Sequence, residues 1–175
     1  VGDEVWGQWS EKFLAPGSLR AEIDLFKAKL PELRAGLGFL SAAQDLLPWG
    51  SNPVEDMTED AVAAMISVAT LLGPEGPIPA PDVRLGLVYM QPDSYYPLHL
   101  HDADETYVII AGQALWWAGE CVGTLGAGAM IHHPSLMPHA FRTGPEGFAA
   151  LWRWSGDINT HSYSFIDDPR ITTAA

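Results

Sequence analysis

Residues 99–107, with the sequence HLHDADETY, are the most informative stretch of this chain. Inside a run that otherwise has the composition of a β-strand, they offer imidazole, carboxylate and phenol groups, which are donor types of catalytic transition-metal sites. Side chains of an extended strand alternate between its two faces, so donors with odd numbers share one face unless a bulge at the DAD turn breaks the phase. The donors, all odd-numbered, are His99, His101, Glu105, Tyr107 and, after a glycine-rich turn, His139. A metal site is the leading interpretation.

A single strand histidine is more often an ordinary polar residue that faces water. Here the two-residue spacing of the first histidines, the glutamate four residues on and a distant histidine near two prolines together favour a metal site. We interpret His132 and His133 as ordinary strand residues, because neighbours on a strand face opposite sides and at most one could enter a pocket. His161 is expected at the surface.

The composition excludes several classes of function. Nine Lys and Arg against 22 Asp and Glu give a net charge of −13, which argues against nucleic-acid binding and against anionic membrane surfaces. The single cysteine, Cys121, cannot form an internal disulfide and is expected to be a small buried residue. We find no signal peptide and no apolar run of roughly 20 residues that could span a bilayer. We therefore expect a cytoplasmic enzyme in a reducing compartment.

The chain has two halves with different periodicity. Residues 1–80 have helical spacing, including a helix that is predicted to begin at Thr58 and to end at Gly73. Residues 81–175 contain short apolar runs separated by Gly, Pro and Asp, which is typical of antiparallel strands. The predicted strands are Val83–Met90, Leu98–His101, Thr106–Ala111, Ala114–Ala118, Met130–His133, Ala140–Thr143, Phe148–Trp154 and Ser162–Ile166.

We expect one domain that is mostly β with a helical N-terminal part, in the α+β class. We expect several α-helices in residues 1–80 to pack on a jelly-roll barrel formed by residues 81–175. The barrel is expected to carry the metal site. A chain of 175 residues with 47% hydrophobic content is sufficient for one such core.

Two motifs resemble those of the cupin family, whose fold is a double-stranded β-helix or jelly roll. Residues 99–112 match its first motif, two histidines, a glutamate and a final glycine, and residues 128–143 match its second motif at Gly128, Pro134 and His139. Three positions depart from the pattern without removing a ligand. They are Asp93 and Leu136, where the family has glycine, and Thr143, where it has asparagine.

A closer resemblance is to the bacterial cupin lyases of dimethylsulfoniopropionate (DMSP), of the DddQ type. It rests on the helical N-terminal half, the run YYPLHLHDADETY at 95–107 and the WRW segment at 152–154. The resemblance implies that DMSP, a small zwitterion, is cleaved to dimethyl sulfide and acrylate. It also implies that His99 turns toward the substrate, whereas an ordinary cupin uses His99 as a ligand. The metal ligands it implies are His101, Glu105, Tyr107 and His139.

The implied reaction makes sense of these residues. β-Elimination removes a proton beside the substrate carboxylate, and a divalent metal that accepts this carboxylate stabilises the charge that builds there. A tyrosine with a pKa of about 10 is mostly protonated at neutral pH, but contact with a metal favours the phenolate. Tyr107 is therefore the expected catalytic base.

The sulfonium end of the substrate should prefer aromatic faces, through cation–π attraction of about 0.5–2 kcal/mol. Tyr96 and Tyr95, on a loop that leads into the ligand strand, are expected at the mouth of the pocket. Trp152 and Trp154 share one face by parity, so both point inward or both point outward. The alternative to a place in the pocket lining is the barrel core. The predicted substrate-binding residues are Tyr96, His99, Tyr95 and Trp154.

The cofactor is expected to be one divalent transition metal per chain, with zinc preferred and iron or manganese as alternatives, because nitrogen and oxygen donors suit all three. The main rival is a cupin dioxygenase or isomerase that uses iron or manganese on a small organic acid. A second rival is a ligand-binding cupin without catalysis. Cupins often pair, and an exposed sheet edge would permit a homodimer.

Overall fold

The computed structural model describes residues 44–171, and in this part of the chain β-strands dominate. The prediction of a mostly β fold is confirmed. Predicted helices before residue 44 lie outside the described residues. The helical elements within 44–171 are two 3-10 turns, Gln44–Leu46 and Glu55–Met57, and one short helix, α1 (Asp60–Ala63). The strands are β1 (Ile66–Gly73), β2 (Ile78–Pro79), β3 (Val83–Met90), β4 (Tyr95–Leu100), β5 (Ala103–Ala118), β6 (Cys121–Gly126), β7 (Met130–His133), β8 (His139–Gly156) and β9 (Ser164–Phe165).

The predicted helix that begins at Thr58 is wrong beyond its first turn. The helix α1 ends at Ala63, and residues 66–73 form β1, which pairs antiparallel with β3. The apolar residues of this segment do recur at helical spacing, but the run ISVATLL is rich in β-branched and aliphatic side chains that pack well on a pleated sheet. The sheet therefore begins at residue 66 rather than at residue 81. None of the helices within 44–171 is long and apolar enough to cross a membrane.

Two long strands, β5 and β8, organise the sheet. They pair antiparallel along almost their whole length, from Ala103 opposite Gly156 to Ala118 opposite His139. At one end they are flanked by β3 and β7, and at the other end by β4 and β6. The register shifts twice between residues 109 and 114, where Gly112 has a φ of 73°. These bulges bend the long strands, as bulges do in barrels.

The bend brings the two ends of the long strands over one another around an aromatic core. Tyr107, on one end of β5, lies 6.1 Å from the ring of Phe141 on the far end of β8. Trp116 stacks on Phe141 at 4.4 Å and contacts Phe148. Donors on β4, β5 and β8 are therefore directed into one interior.

The two positions where the cupin motifs have glycine keep a left-handed backbone. Asp93 has a φ of 52° and Leu136 a φ of 60°, although L-residues with side chains rarely adopt this region. Thr143, at the asparagine position, accepts a hydrogen bond from Ser94 N at 2.9 Å and donates one to Gln91 O at 2.6 Å. Both turns thus adopt the backbone region that glycine favours, although neither residue is glycine.

Candidate metal centre

Four of the donors singled out in the sequence meet at one point in the interior. Each offers one ligand atom, and these atoms all lie within 4.8 Å of one another. The sheet brings them together, because His99 of β4 is opposite His139 of β8, and Glu105 lies on the adjoining strand β5. The members of this group, all buried, are His99, His101, Glu105 and His139.

Each of the three imidazoles of the group is oriented by a backbone carbonyl. A carbonyl only accepts, so the bonded Nδ1 carries the proton, and the lone pair is on Nε2. This arrangement fixes the tautomer in the way that is usual for histidine metal ligands. The contacts are His99 Nδ1 to Pro97 O at 2.8 Å, His101 Nδ1 to Ala103 O at 3.0 Å and His139 Nδ1 to Met137 O at 2.8 Å.

Two of these Nε2 atoms face the Glu105 carboxylate but form no hydrogen bond in the described part of the chain. His101 Nε2 and His139 Nε2 are buried and have no hydrogen-bond partner among the described residues. They lie 3.4 Å and 3.0 Å from Glu105 Oε2. A buried polar atom without a partner costs roughly 1–3 kcal/mol, and a metal ion coordinated between these atoms would remove that cost. The donor set therefore fits a divalent transition metal.

The electrostatics of the group suit metal binding. Burial, and then the neighbouring His139, lower the pKa of His99, which keeps this imidazole neutral. Burial by itself raises the pKa of Glu105, but the imidazoles around it, including His101 and His133, outweigh this effect and hold the pKa well below its usual range. Neutral imidazoles and an ionised carboxylate are the forms that a metal requires.

Tyr107 lies beside this group on β5. Its ring is 5.2 Å from the ring of Trp116, and it lines the same cavity as His99 and Glu105. Burial, followed by the charges of Glu105 and Tyr96, raises the pKa of Tyr107 well above 10. In the absence of a cation, this phenol is therefore neutral.

A cavity of about 40 Å³ opens next to the group. Its lining has an aromatic part, here called the aromatic wall, and an aliphatic part, here called the aliphatic wall, and Asn52 and Pro53 also line it. Tyr96 lines it, and its hydroxyl is 2.7 Å from that of Tyr163. The aromatic wall comprises Tyr96, Trp152, Trp154 and Tyr163, and the aliphatic wall comprises Ile66, Val68 and Val88.

Tyr95 is not among the described residues that line this cavity. It is the neighbour of Tyr96 on β4 and therefore faces the opposite side of the strand. Its hydroxyl donates to Asp168, its ring meets Trp117 edge to face, and the Arg142 guanidinium lies 4.9 Å from its ring centre. The structure therefore separates Tyr95 from Tyr96 and the cavity lining, and substrate binding by Tyr95 stays a prediction.

Sequence reasoning missed two residues of the interior. His133 faces the donor group, whereas His132 faces the other way and pairs with Thr106 Oγ1 at 3.1 Å. The odd number of His133, shared with all the donors, was the available signal. Tyr163 stacks on His99, with ring centres 5.2 Å apart, and comes from the segment between β8 and β9, for which no motif gives a signal.

Trp154, predicted as a substrate-binding residue, lines the cavity and also contacts the donor group. It lines the cavity, but its Nε1 also donates a hydrogen bond of 2.7 Å to Glu105 Oε1. The ring of His101 lies 4.6 Å from its indole. Trp154 is thus part of the support of the donor group.

Comparison with known proteins identifies relatives of this chain. The sequence model of the dimethylsulfoniopropionate lyase family matches residues 15–149. The dimethylsulfoniopropionate lyase DddQ of Ruegeria pomeroyi is 42% identical over 91 residues, which are 51% of this chain and 45% of that protein. A putative dimethylsulfoniopropionate lyase, DddL, of Cereibacter sphaeroides is 32% identical over 98 residues, 55% of this chain and 41% of that protein.

The solved structures agree with the sequence comparisons. The crystal structure of DMSP lyase DddQ from Ruegeria pomeroyi superposes with a TM-score of 0.62 at 33% sequence identity. The superposition covers 71% of this chain and 63% of that chain. The chain spans less than half the length of the curated relatives it matches.

Proposed function

This chain belongs to the dimethylsulfoniopropionate lyase family, and from that membership we propose that it is a metal-dependent carbon–sulfur lyase that converts DMSP to dimethyl sulfide and acrylate. The observation that carries the metal dependence is the pair of buried, unpartnered Nε2 atoms of His101 and His139, which face the Glu105 carboxylate. The base in this proposal is Tyr107.

The proposed metal is zinc, held by His99, His101, Glu105 and His139. A bound divalent cation supplies Lewis acidity toward the substrate carboxylate and lowers the pKa of a nearby phenol. The altered ligand set, with Tyr107 in place of His99, is the alternative. A phenolate-to-metal absorption band in iron-loaded protein would favour that alternative, and its absence would favour the four donors that the structure groups together.

In the proposed reaction, the Tyr107 phenolate takes the proton from the carbon next to the substrate carboxylate. The electron pair of that C–H bond forms the new carbon–carbon double bond, the carbon–sulfur bond breaks, and the sulfonium leaves as neutral dimethyl sulfide. Because burial and Glu105 keep this phenol protonated when no cation is present, the base depends on the metal. General-base catalysis of this kind contributes about 10²–10⁴-fold.

The aromatic wall of the cavity suits the cationic end of DMSP. No Lys or Arg is among the described residues that line the cavity. The indoles of Trp152 and Trp154 and the phenols of Tyr96 and Tyr163 offer faces for cation–π contact, worth about 0.5–2 kcal/mol. Substrate binding is therefore proposed to use the carboxylate at the metal and the sulfonium at this wall.

A cupin dioxygenase or isomerase with iron or manganese is the second candidate. The same four donors, His99 included, would hold iron or manganese as they do in an ordinary cupin site, so the donor group is compatible with both functions. Oxygen separates the lyase from a dioxygenase, because β-elimination consumes none, and the release of dimethyl sulfide with acrylate separates the lyase from an isomerase.

The test is an assay of the headspace above the protein and DMSP in anaerobic buffer. Protein loaded with zinc, iron or manganese should release dimethyl sulfide and leave one equivalent of acrylate, and metal-free protein should release none. The His139→Ala variant is the matched control for contaminating activity. Release that needs oxygen, or no release under any metal loading, would contradict the proposal.

A further inference from the structure

Glu105 is enclosed by two N–H donors that come from its neighbours in the sheet. The register places it opposite Trp154 on β8 and opposite His133 on β7. Trp154 Nε1 donates to Oε1 at 2.7 Å, and His133 Nδ1 lies 3.3 Å from Oε2. Directly opposed residues of adjacent strands have their Cβ atoms only about 4.5–5.5 Å apart, so these contacts follow from the pairing of three strands.

The tautomer of His133 is determined by a third residue. Trp116 Nε1, which can only donate, points to His133 Nε2 at 2.9 Å. That nitrogen must therefore accept, and the proton of the neutral ring lies on Nδ1, where it faces the carboxylate of Glu105. Hydrogen bonds are therefore donated from Trp116 to His133 and from His133 to Glu105.

Two features indicate that this series of hydrogen bonds does more than fill the core. Oε2, the atom that His133 contacts, is also the atom that faces the unpartnered Nε2 atoms of His101 and His139. The His133 ring also stacks on the His139 ring, with centres 3.9 Å apart and planes inclined by 16°. One residue thus contacts two of the four donors from outside the group.

We propose that His133 is a positioning residue of the metal centre. Trp116 holds it as its Nδ1–H tautomer, and in this form His133 fixes the Glu105 carboxylate so that Oε2 faces the ligand imidazoles. This inference rests on the proposed metal binding. Outer partners of metal ligands typically contribute about 10–100-fold in metal affinity, and His133 should act within that range.

Two substitutions at position 133 separate positioning from packing. His133→Phe keeps a flat ring that can stack on His139 but has no donor for Glu105. His133→Asn loses most of the ring but keeps an N–H donor where Nδ1 lies. The matched control is His132→Phe, since His132 is also buried on β7 but faces Thr106 on the other side.

The readout is metal affinity, measured by competition with a chromophoric chelator, together with thermal unfolding of the metal-free proteins. We expect His133→Phe to bind metal about 10–100-fold more weakly than wild type, His133→Asn to recover most of that loss, and His132→Phe to match wild type. A role in packing alone predicts the reverse order at position 133, with lower metal-free stability for His133→Asn and unchanged affinity for His133→Phe.

Trp116→Phe is the second variant and decides the matter if His133→Phe does not fold. It preserves the aromatic core and releases the His133 tautomer, so metal affinity should fall, by less than in His133→Phe. Unchanged affinity in Trp116→Phe, or in folded His133→Phe, would overturn the inference while leaving the proposed function intact. Wild-type protein that takes up no metal would overturn both, and this is measured first.

Discussion

The two faces of strand β4 hold neighbouring tyrosines in environments that differ in kind. Tyr96 points inward, where its hydroxyl pairs with that of Tyr163 and its ring lies 4.9 Å from the ring of His99, a member of the donor group. Tyr95 points outward, where its hydroxyl donates a hydrogen bond to Asp168 and the Arg142 guanidinium lies over its ring.

The difference shows where a ligand is needed. On the outer face, the charges satisfy one another, because Arg170 pairs with Asp168 at 2.7 Å and lies over the ring of Trp117. We call Tyr95, Trp117, Arg142, Asp168 and Arg170 the outer clasp. On the inner face, buried nitrogens face a carboxylate and stay unsatisfied within the described chain. Unpartnered polar atoms, rather than the density of charge, therefore mark the functional side of the sheet.

The largest expected difference between the faces follows from removing one inner donor. His139→Ala should lose its metal and lower kcat/KM for DMSP by about 10³-fold or more, because Lewis-acid stabilisation is worth several kcal/mol and each 1.4 kcal/mol is tenfold. Metal content by elemental analysis and release of dimethyl sulfide measure this. Arg142→Ala, in the outer clasp, is the control and should keep both. Full metal content and turnover in His139→Ala would break the comparison.

The next effect concerns the base. Tyr107→Phe removes only the phenolic oxygen, so it should lower kcat by about 10²–10⁴-fold while metal content and the fold remain as in wild type. Steady-state rates at saturating metal and DMSP, with metal content measured on the same sample, check this. Near-normal turnover with intact metal would exclude Tyr107 as the base.

Much of this arrangement was accessible from the sequence, because a strand imposes a strict two-residue period. The spacing of His99, His101, Glu105 and His139 identifies donors that the structure does bring together. The same parity extends to His133, but an interpretation based on motif spacing leaves it out. Tyr163 comes from another part of the chain, and its proximity depends on how the segment before β9 folds over the barrel.

Two features could not be derived from the local sequence, for a common physical reason. Tyr95 and Tyr96 both precede Pro97, and composition does not tell which of two adjacent aromatic residues faces the interior; the register of β4 against β8 does. The segment 66–73 has helical spacing of apolar residues, yet its pairing with β3 makes it a strand. In both cases, tertiary contacts outweigh the local preference.

A third prediction compares the two tyrosines directly. Tyr96→Phe leaves the buried Tyr163 hydroxyl without its partner, which costs roughly 1–3 kcal/mol of stability, and should raise KM for DMSP by up to roughly tenfold. Tyr95→Phe removes an outer hydrogen bond that is worth about 0.5–1.5 kcal/mol and should leave KM unchanged. Urea unfolding and steady-state kinetics of both variants measure this. A larger KM effect in Tyr95→Phe would reverse the assignment of the faces.

The smallest effect is a pH dependence of stability in the outer clasp. The Arg170 guanidinium, assisted by the Tyr95 hydroxyl, holds the pKa of Asp168 well below its usual range. Since an unfolded aspartate has a pKa of about 3.9, the stabilisation is complete above about pH 5 and is lost as the pH falls through the unfolded and then the folded pKa.

Asp168→Asn lacks this contribution at every pH. The free energies of unfolding of the two proteins, measured with urea, should therefore differ by a constant amount, about 0.2–1 kcal/mol, near neutral pH, and the difference should shrink as the pH falls below about 4. Because the clasp lies on the face away from the metal centre, turnover of Asp168→Asn should equal that of wild type near neutral pH. A difference in stability that persists in strong acid would contradict an origin in the Asp168 charge, and a loss of turnover in Asp168→Asn would show that the two faces of β4 are coupled.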